Sequence, residues 1–567
     1  MADLLSIRGE NPFRIRAYRR AALLVRTLPR ELSQMPSREA IDSLPGIGAD
    51  LTAKIVELLD TGRLRALEAA RRGIPSGVRE MLRLPMLGPA RVRALHTALG
   101  VQGPADLRRA LTDGRVGRLR GFGPVIQRRL AEALRDSRLA QARRTPIHVA
   151  VPYAESLRAF LLAVPGVTQV EVAGSYRRGR DTVGDLDLLV CATRRAAPVR
   201  ALGTYDEFAE LTAAGSTKAS GVLRNGLQVD VRVVPPASFG TALHYFTGNR
   251  EHNIRLRRRA QERGYKLNEY GLFRGTRRIA GATERELFAA LGLPFIAPEL
   301  REDRGEIEAA EAGTLPHLVE RRDLKGDLHV HTSDSDGADS LRDMVTAARA
   351  RGLEYIAITD HSKHLGVYRG LDSGRLSRQM DAIDAFNARN PGLTVLKGVE
   401  VDILEDGSLA LSDAVLARLD VVVAAVHSAF ALSERKQTAR ILRALDRPHV
   451  TILAHPFGRL LDERPPCLLD FERVLDAAHG RGCFLEINAQ PMRLDLDDVH
   501  AKAARDRGVL LSIASDAHAG DQFDHLEHGV RQARRAWLEA GQVLNSRPLA
   551  ALRPLLGAGA PPRQVLR

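Results

Sequence analysis

The chain has 567 residues, 44% hydrophobic and 27% charged, too long for one core and expected to divide into roughly three or four domains of ordinary globular composition. No run of about 20 apolar residues free of charge is present, so no membrane span is expected. The start, Met1-Ala-Asp-Leu-Leu-Ser-Ile-Arg8, lacks the order of a secretion signal, and three scattered cysteines, Cys191, Cys467 and Cys483, suit a reducing cytoplasm and argue against a disulfide framework or zinc ribbon. The formal charge of +15 is uneven: residues 1–150 hold 28 Lys and Arg against 14 Asp and Glu, residues 151–319 hold 23 against 20, and residues 320–567 hold 33 against 35. Nearly all the excess lies in the first quarter, where a polyanion would be held by its phosphates.

Residues 1 to about 75 read as short helices. Asn11-Pro-Phe-Arg-Ile-Arg-Ala-Tyr18-Arg-Arg sets a proline near a helix start and basic residues along one face. Leu44-Pro-Gly46-Ile-Gly48 then separates two helices. A Gly-apolar-Gly turn lets backbone N–H groups approach a DNA phosphate with no side chain between, and the stretch resembles a helix-hairpin-helix. Looser copies follow at Leu84-Pro-Met-Leu-Gly88 and Leu119-Arg-Gly121-Phe-Gly123, each opening a basic helix. One copy alone reads equally well as an ordinary turn. Three in the basic quarter predict a grip on the DNA backbone regardless of base sequence, through Gly46, Gly48, Gly88, Gly121 and Gly123.

Gln169 to Ala173 alternates as a strand, Gly174 to Gly184 reads as a turn with a short helix start, and Asp185-Leu-Asp187 opens a second strand. Residues two apart on a strand face the same side, so Asp185 and Asp187 project together. Leu227-Gln-Val-Asp230-Val-Arg-Val-Val reads as a third strand with another carboxylate. Adjacent carboxylates repel unless a cation separates them, and magnesium is the hard ion that binds through one or two carboxylates plus substrate phosphates. With Gly174-Ser175 as a phosphate cradle and Arg177 and Arg178 behind it, the set predicts two-metal phosphoryl transfer. One ion would activate a hydroxyl and the other would neutralise the leaving pyrophosphate.

This pattern resembles the nucleotidyltransferase superfamily. Tyr245-Phe246-Thr247-Gly248-Asn249, followed by His252, Asn253 and Arg257, together with Gly264-Tyr-Lys-Leu-Asn268-Glu269-Tyr-Gly-Leu-Phe, narrows the resemblance to X-family DNA polymerases, the family of DNA polymerase beta. The resemblance implies an α/β palm with a thumb, magnesium or manganese held by Asp185, Asp187 and Asp230, and Asp230 accepting the primer hydroxyl proton. It implies that Ser175, Arg178 and Gly184 hold the triphosphate, that Tyr245, Phe246 and Gly248 pack on the sugar, and that Asn253 reaches the base edge. Where the family usually has Ser after Thr-Gly, this chain has Asn249. Lys54 stands at the position of the lysine that attacks an abasic sugar in lyase-active relatives. That chemistry needs a lowered pKa, and Asp50, one helical turn away, would raise it. Plain phosphate contact is the alternative for Lys54.

From about residue 301 to 325 the pattern turns charged and irregular and is expected to be a linker. Beyond it, short apolar strands ending in metal-ligating side chains alternate with helix-length segments: Asp327-Leu-His329-Val-His331, Tyr355 to His361, Leu396 to Glu400, Val421 to His427, Thr451 to His455, Cys483 to Asn488, and Leu511 to His518. This predicts a parallel seven-stranded barrel with its site at the C-terminal rim. Mixed His, Asp and Glu donors suit manganese or zinc. Nine are too many for one ion and predict a cluster of two or three.

This region resembles the polymerase and histidinol phosphatase family, the PHP domain. The resemblance assigns His329, His331, Asp336, His361, Glu400, His427, His455, Asp516 and His518 as metal ligands, with Glu486 and Asn488 as candidate supporting groups. It implies 3′ to 5′ exonuclease action and, as a further activity, cleavage at abasic sites.

The expected division is a helical DNA-binding domain (1–75), a second helix-hairpin-helix domain (76–147), a nucleotidyltransferase palm (148–235), a thumb (236–300), a linker (301–325) and a PHP (β/α)7 nuclease barrel (326–567). The expected partners are gapped or primer-template DNA and dNTPs, with the chain a cytoplasmic monomer. Two other readings stay open at this point. One is a non-templated nucleotidyltransferase or small-molecule phosphatase fused to an unrelated domain, and the other is a DNA-end scaffold with inert sites.

Overall fold

A computed structural model describes residues 1–27, 32, 37–44, 47–61, 63–72, 74–84, 87–119, 121–123, 126–127, 130–131, 134, 144–363 and 369–556. It divides into two units, Met1–Arg144 and Thr145–Arg567. Among the described residues no helix is long and apolar enough to cross a membrane.

The first unit is helical. Its helices include Ala2–Arg8, Pro12–Thr27, Ala49–Thr61, Arg65–Arg72, Pro89–Leu99 and Pro104–Thr112. Prolines at the first turn of the last two fix φ where no N–H is needed. The boundary expected near residue 75 is corrected. Leu4 and Ile7 of the first helix share one core with Ala70, Ile74, Val92 and Leu95, extending to Leu130 and Leu134. Only Ala21, Ile41, Ile47 and Val56 form a separate small core. The apolar face of the first helix is covered by residues some 70 to 90 positions ahead of it, a pairing no local pattern records.

In the second unit a five-stranded sheet has the order Val167–Val172, Asp185–Ala192, Gln228–Val234, Lys218–Leu223, Phe208–Ala214. The Asp185 and Gln228 strands run parallel and the other pairings are antiparallel. Helix Ile147–Leu162 covers one face, with Ala150, Ala154, Leu157 and Leu161 against Leu186, Leu188, Val229 and Val231. The opposite face receives helix Phe239–Thr247, through Phe239, Ala242 and Leu243 on Leu189 and Cys191. That helix was expected in the thumb. It is a layer of the sheet domain, because its apolar face matches the outward face of the strands.

Beyond it, helices Arg250–Glu262 and Glu284–Ala290 and a three-stranded antiparallel sheet share a core with Leu300, Ile307, Ala310 and Trp537. Residues 301–325 are therefore not a loose linker. They carry helix Glu306–Ala312 and buried Arg301, Glu306, Val319 and Leu324. Two of these anchors are charged side chains buried in pairs, Arg301 with Glu284 and Glu306 with His252, so hydrophobicity alone understates how firmly the segment is packed.

Seven parallel strands follow in sequence order: Gly326–Val330, Tyr355–Ile358, Thr394–Asp402, Val421–Ala425, Ile452–Leu453, Phe484–Asn488 and Leu511–Ala514. Strands buried on both faces read as continuous apolar runs, as these do. The outer layer packs on helices. The interior, including Leu328, Tyr355, Leu396 and Val423, is closed from below by Leu544, Leu552 and Leu556. First and last strands meet through Val330 paired with Ala517 at the C-terminal end. Near the other end, Asn545 donates to the Gly326 and Ile513 carbonyls (2.7 and 2.8 Å) and accepts from the Ile513 N–H (3.0 Å).

Candidate active sites

The first site is built where the two parallel strands of the five-stranded sheet lie side by side. Asp187 is in register with Asp230, and Asp185 sits two residues before Asp187 on the same face. One carboxylate oxygen from each lies within 4.8 Å of the others. Burial, and then the Asp185 and Asp230 carboxylates, push the Asp187 pKa up to about 7. Ser220 donates a short hydrogen bond to Asp230, and Lys218 Nζ lies 3.8 Å from it. An all-oxygen set of this charge fits a hard divalent cation. Gly174 adopts φ +62°, and a Cβ there would come within 2.7 Å of Asp187 Oδ2. Glycine is thus required twice over, for the backbone and for the carboxylate.

The residues expected to handle a nucleotide surround this set. Ser175 lies in the short helix Gly174–Arg177, and Gly184 directly precedes Asp185. Arg178 Nε donates to Glu302 (2.9 Å) and its Nη1 to the Thr247 carbonyl (2.7 Å). Arg177 bonds Thr247 Oγ1 and Glu284. Tyr245 and Phe246 meet edge to face, with the Arg232 guanidinium 4.7 Å over the Phe246 ring. Asn253 Nδ2 donates to the Tyr245 carbonyl at 2.7 Å, and a Cβ on Gly248 would strike Asn253 Oδ1. Asn249 caps helix Arg250–Glu262 by accepting from the His252 N–H (2.8 Å), and its Nδ2 donates to Glu302 (3.2 Å). A serine would have a single oxygen for both tasks.

In the first unit the three turns share one hydrogen-bond pattern. The carbonyls of Leu44, Leu84 and Leu119 each accept from the N–H three residues on, at 3.0, 3.2 and 3.2 Å, and those of Gly48, Gly88 and Gly123 each accept from the two N–H groups that open the next helix. A Cβ on Gly48, Gly88, Gly121 or Gly123 would meet nothing within 4 Å, and of these only Gly121 has positive φ. Neither strain nor packing therefore explains the other three, which leaves the backbone open to an outside partner. Gly46 lies outside the described residues. Lys54 Nζ is paired with Asp50 Oδ1. Burial lowers its pKa, but Asp50 and Tyr18 outweigh it and the net shift is upward, opposite to what lyase chemistry needs.

The barrel brings all nine expected ligands to one end. Candidate ligand atoms gather in three groups: His331, Asp336, His361 and His518; His329, His331 and Asp516; and His361, Glu400 and His427, each within 4.8 Å. His331 and His361 are each shared by two groups. His455 joins through Glu400, Nε2 to Oε1 at 3.0 Å. Buried His329 Nε2 and both ring nitrogens of His331 make no hydrogen bond. Carboxylate oxygens nevertheless stand 3.1 to 3.8 Å away, a spacing that suits ligands around cations better than hydrogen bonds. Burial opposes ionisation of Glu400, but His361, His427 and His329 hold its carboxyl well below the usual range. His455 and Asp516 have positive φ, +26° and +52°, backbone strain localised on two of the expected ligands.

Behind the ligands, His329 Nδ1 meets Glu486 at 2.7 Å, and Asn488 donates to Glu486 (2.7 Å) and Asp516 (3.1 Å). Asp402, which the sequence reading missed, holds His427 Nδ1 at 2.8 Å. It sits two residues after Glu400 on one strand, so the rule that paired Asp185 with Asp187 would have found it. Arg493 was also missed and lies 3.7 Å from Asp516.

Comparison with known proteins covers both sites. Family models match for a helix-hairpin-helix domain (residues 1–64), the DNA polymerase beta palm (146–245), the DNA polymerase beta thumb (242–302) and a PHP domain (327–463). The chain is 38% identical over 553 residues to the DNA polymerase/3′-5′ exonuclease PolX of Bacillus subtilis, covering 97% of this chain and 96% of that protein. Probable phosphatases of Thermoanaerobacter sp. (strain X514) and Acetivibrio thermocellus are 32% and 31% identical, each over 39% of this chain and 89% and 90% of their own lengths.

Proposed function

Because the chain belongs to the X family of DNA polymerases that carry a C-terminal PHP domain, we propose that Asp185, Asp187 and Asp230 hold two magnesium or manganese ions over an incoming dNTP. The nine barrel residues hold two or three manganese or zinc ions that serve trimming. The protein is a DNA repair polymerase that adds dNTPs to a primer 3′-OH in short gaps, with a 3′-5′ exonuclease in the same chain. The observation that carries the metal assignment is the meeting of three carboxylates from two strands within 4.8 Å.

Divalent ions bound there supply Lewis-acid activation of the primer hydroxyl and neutralise the departing pyrophosphate. The chain does the rest. Asp230, beside Ser220 and Lys218, accepts the hydroxyl proton. Ser175, Arg178 and Gly184 hold the triphosphate, Tyr245, Phe246 and Gly248 line the sugar, and Asn253 reads the base edge. The open glycine turns of the first unit bind DNA phosphates without reading sequence. Lys54, an ion-paired ammonium, contacts phosphate; lyase attack would first require Asp50 to be displaced. In the barrel, Glu486 and Asp402 fix the tautomers of His329 and His427. Cleavage at abasic sites is a second reaction of the same ligands. The working unit is the monomer.

The test is a gapped duplex with a labelled primer. Asp187→Ala is expected to lower extension by about 10³-fold and keep trimming, and His331→Ala the reverse, since each removes a ligand worth several kcal/mol in the transition state. Loss of both activities in either variant would refute separate sites.

A further inference from the structure

Arg178 is not simply a cation beside the carboxylates; it ends a line of alternating charges that begins in the barrel. Its side chain is only 13% exposed. Nε is on Glu302 Oε1 and Nη1 on the Thr247 carbonyl. The same Glu302 oxygen accepts from Arg535 Nη1 at 3.0 Å, and Arg535 Nη1 also donates to the backbone carbonyl of Arg178 at 2.9 Å. Arg535 ends the barrel helix Leu526–Arg535, and its side chain is fully buried. Its Nη2 donates to Asp498 at 2.7 Å, and Asp498, the first residue of barrel helix Asp498–Asp506, also accepts from Arg304 at 2.6 Å.

Each buried charge in this line has a partner of opposite sign, and removing one would leave its neighbours uncompensated. Burial works against ionisation of Glu302, but Arg535, Arg178 and Arg180 keep the carboxylate ionised. Glu302 alone would compete with any anion for Arg178. Arg535, bound to the same oxygen, offsets that charge and fixes where the carboxylate stands. Arginine's planar fork suits the task, because one side chain bonds two carboxylates and a carbonyl at once.

We propose that Glu302 and Arg535 are positioning residues of the polymerase reaction. They hold the Arg178 guanidinium beside Thr247 in the orientation that meets the nucleotide triphosphate, so the nuclease barrel forms part of the polymerase's nucleotide pocket. The inference rests on the reading that Arg178 contacts the triphosphate.

The test uses the full chain and single-nucleotide insertion into a gapped duplex, with KM for dNTP and kcat measured separately. Trimming rate, DNA affinity and melting temperature are followed in parallel. Arg178→Ala is expected to raise KM about tenfold, corresponding to ~1.4 kcal/mol. Arg535→Met is expected to raise KM similarly, with trimming and DNA affinity unchanged, and the double variant to be no worse than Arg178→Ala alone. Arg535→Lys, which keeps charge but not the fork, should fall between. Should Arg535→Met fail to fold, Glu302→Gln replaces it with the same expectations.

A KM rise from Arg535→Met that is as large in the Arg178→Ala background as in the native chain would overturn the proposal. So would an unchanged KM in Arg535→Met while Arg178→Ala raises it, or a parallel fall in trimming, DNA affinity and melting temperature. If Arg178→Ala itself leaves KM unchanged, the triphosphate reading fails first.

Discussion

The two metal sites solve the same electrostatic problem in opposite ways. The palm gathers three carboxylates on one face of a sheet with Lys218 and Ser220 close to Asp230, and the Asp187 carboxyl is pushed up to about 7, chiefly by burial and then by Asp185 and Asp230. The barrel gathers six histidines with three carboxylates, and further carboxylates stand behind the imidazoles. On the metal assignment proposed above, the difference teaches that the palm site would be completed by what the substrate brings, phosphate oxygens included, while the barrel supplies enough donors of its own to keep its ions between turnovers.

Metal content is the sharpest way to break this contrast. Purified protein passed through metal-free gel filtration is expected to retain up to three ions per chain, one for each histidine-bearing group. His331→Ala should lose most of them and Asp187→Ala none. Elemental analysis showing equal losses in both variants would erase the distinction between resident and substrate-borne ions.

A smaller effect is expected one layer out. Glu486→Gln and Asp402→Asn leave every ligand in place but release the tautomers of His329 and His427, and should lower metal affinity or trimming by about 10- to 100-fold. Extension at the palm should not change. Extension falling in step with trimming would mean that these carboxylates serve the whole fold.

The effect most remote from either metal site concerns what holds the polymerase side together. Glu284 binds Arg177 and buried Arg301. Burial raises its pKa, but those guanidiniums outweigh it and lower the group from 4.5 to about 2. A depressed carboxylate contributes stability that is full above its unfolded pKa and disappears as pH falls from about 4.5 through about 2, here ~3 kcal/mol. The difference in unfolding free energy between the native chain and Glu284→Gln should therefore shrink across that window. A difference that stays constant with pH would place the Glu284 contribution elsewhere.

What could be read from the chain, and what could not, divides along the same line. Asp185, Asp187 and Asp230 are legible because a strand repeats every two residues, and the barrel ligands because all but Asp336 stand at or just beyond the end of an apolar run, Asp336 being marked only by the resemblance to the PHP opening motif. Asp402 was legible by the first of these rules and was passed over. The pairings of Arg178 with Glu302, 124 residues away, and of Glu302 with Arg535, 233 away, are not legible. A charged residue carries no local mark of whether it faces water or a buried partner. For that reason residues 301–325 read as a linker and yet are anchored in the core through Arg301, Glu306, Ile307, Ala310, Val319 and Leu324.

The seam of the barrel adds one more consequence. At the histidine-lined rim the first and last strands are stitched by backbone pairing, Val330 to Ala517 and the His331 N–H to the Ala517 carbonyl. Below it the stitch is made by side chains: Asp327 accepts from the Ser515 N–H, and at the floor the Asn545 amide is inserted between Gly326 and Ile513. The Asn545 bridge at the floor must therefore wait until residue 545 has been synthesised. A chain cut before residue 545 is expected to keep the backbone stitch at the mouth of the cylinder and to lose the amide bridge at its base.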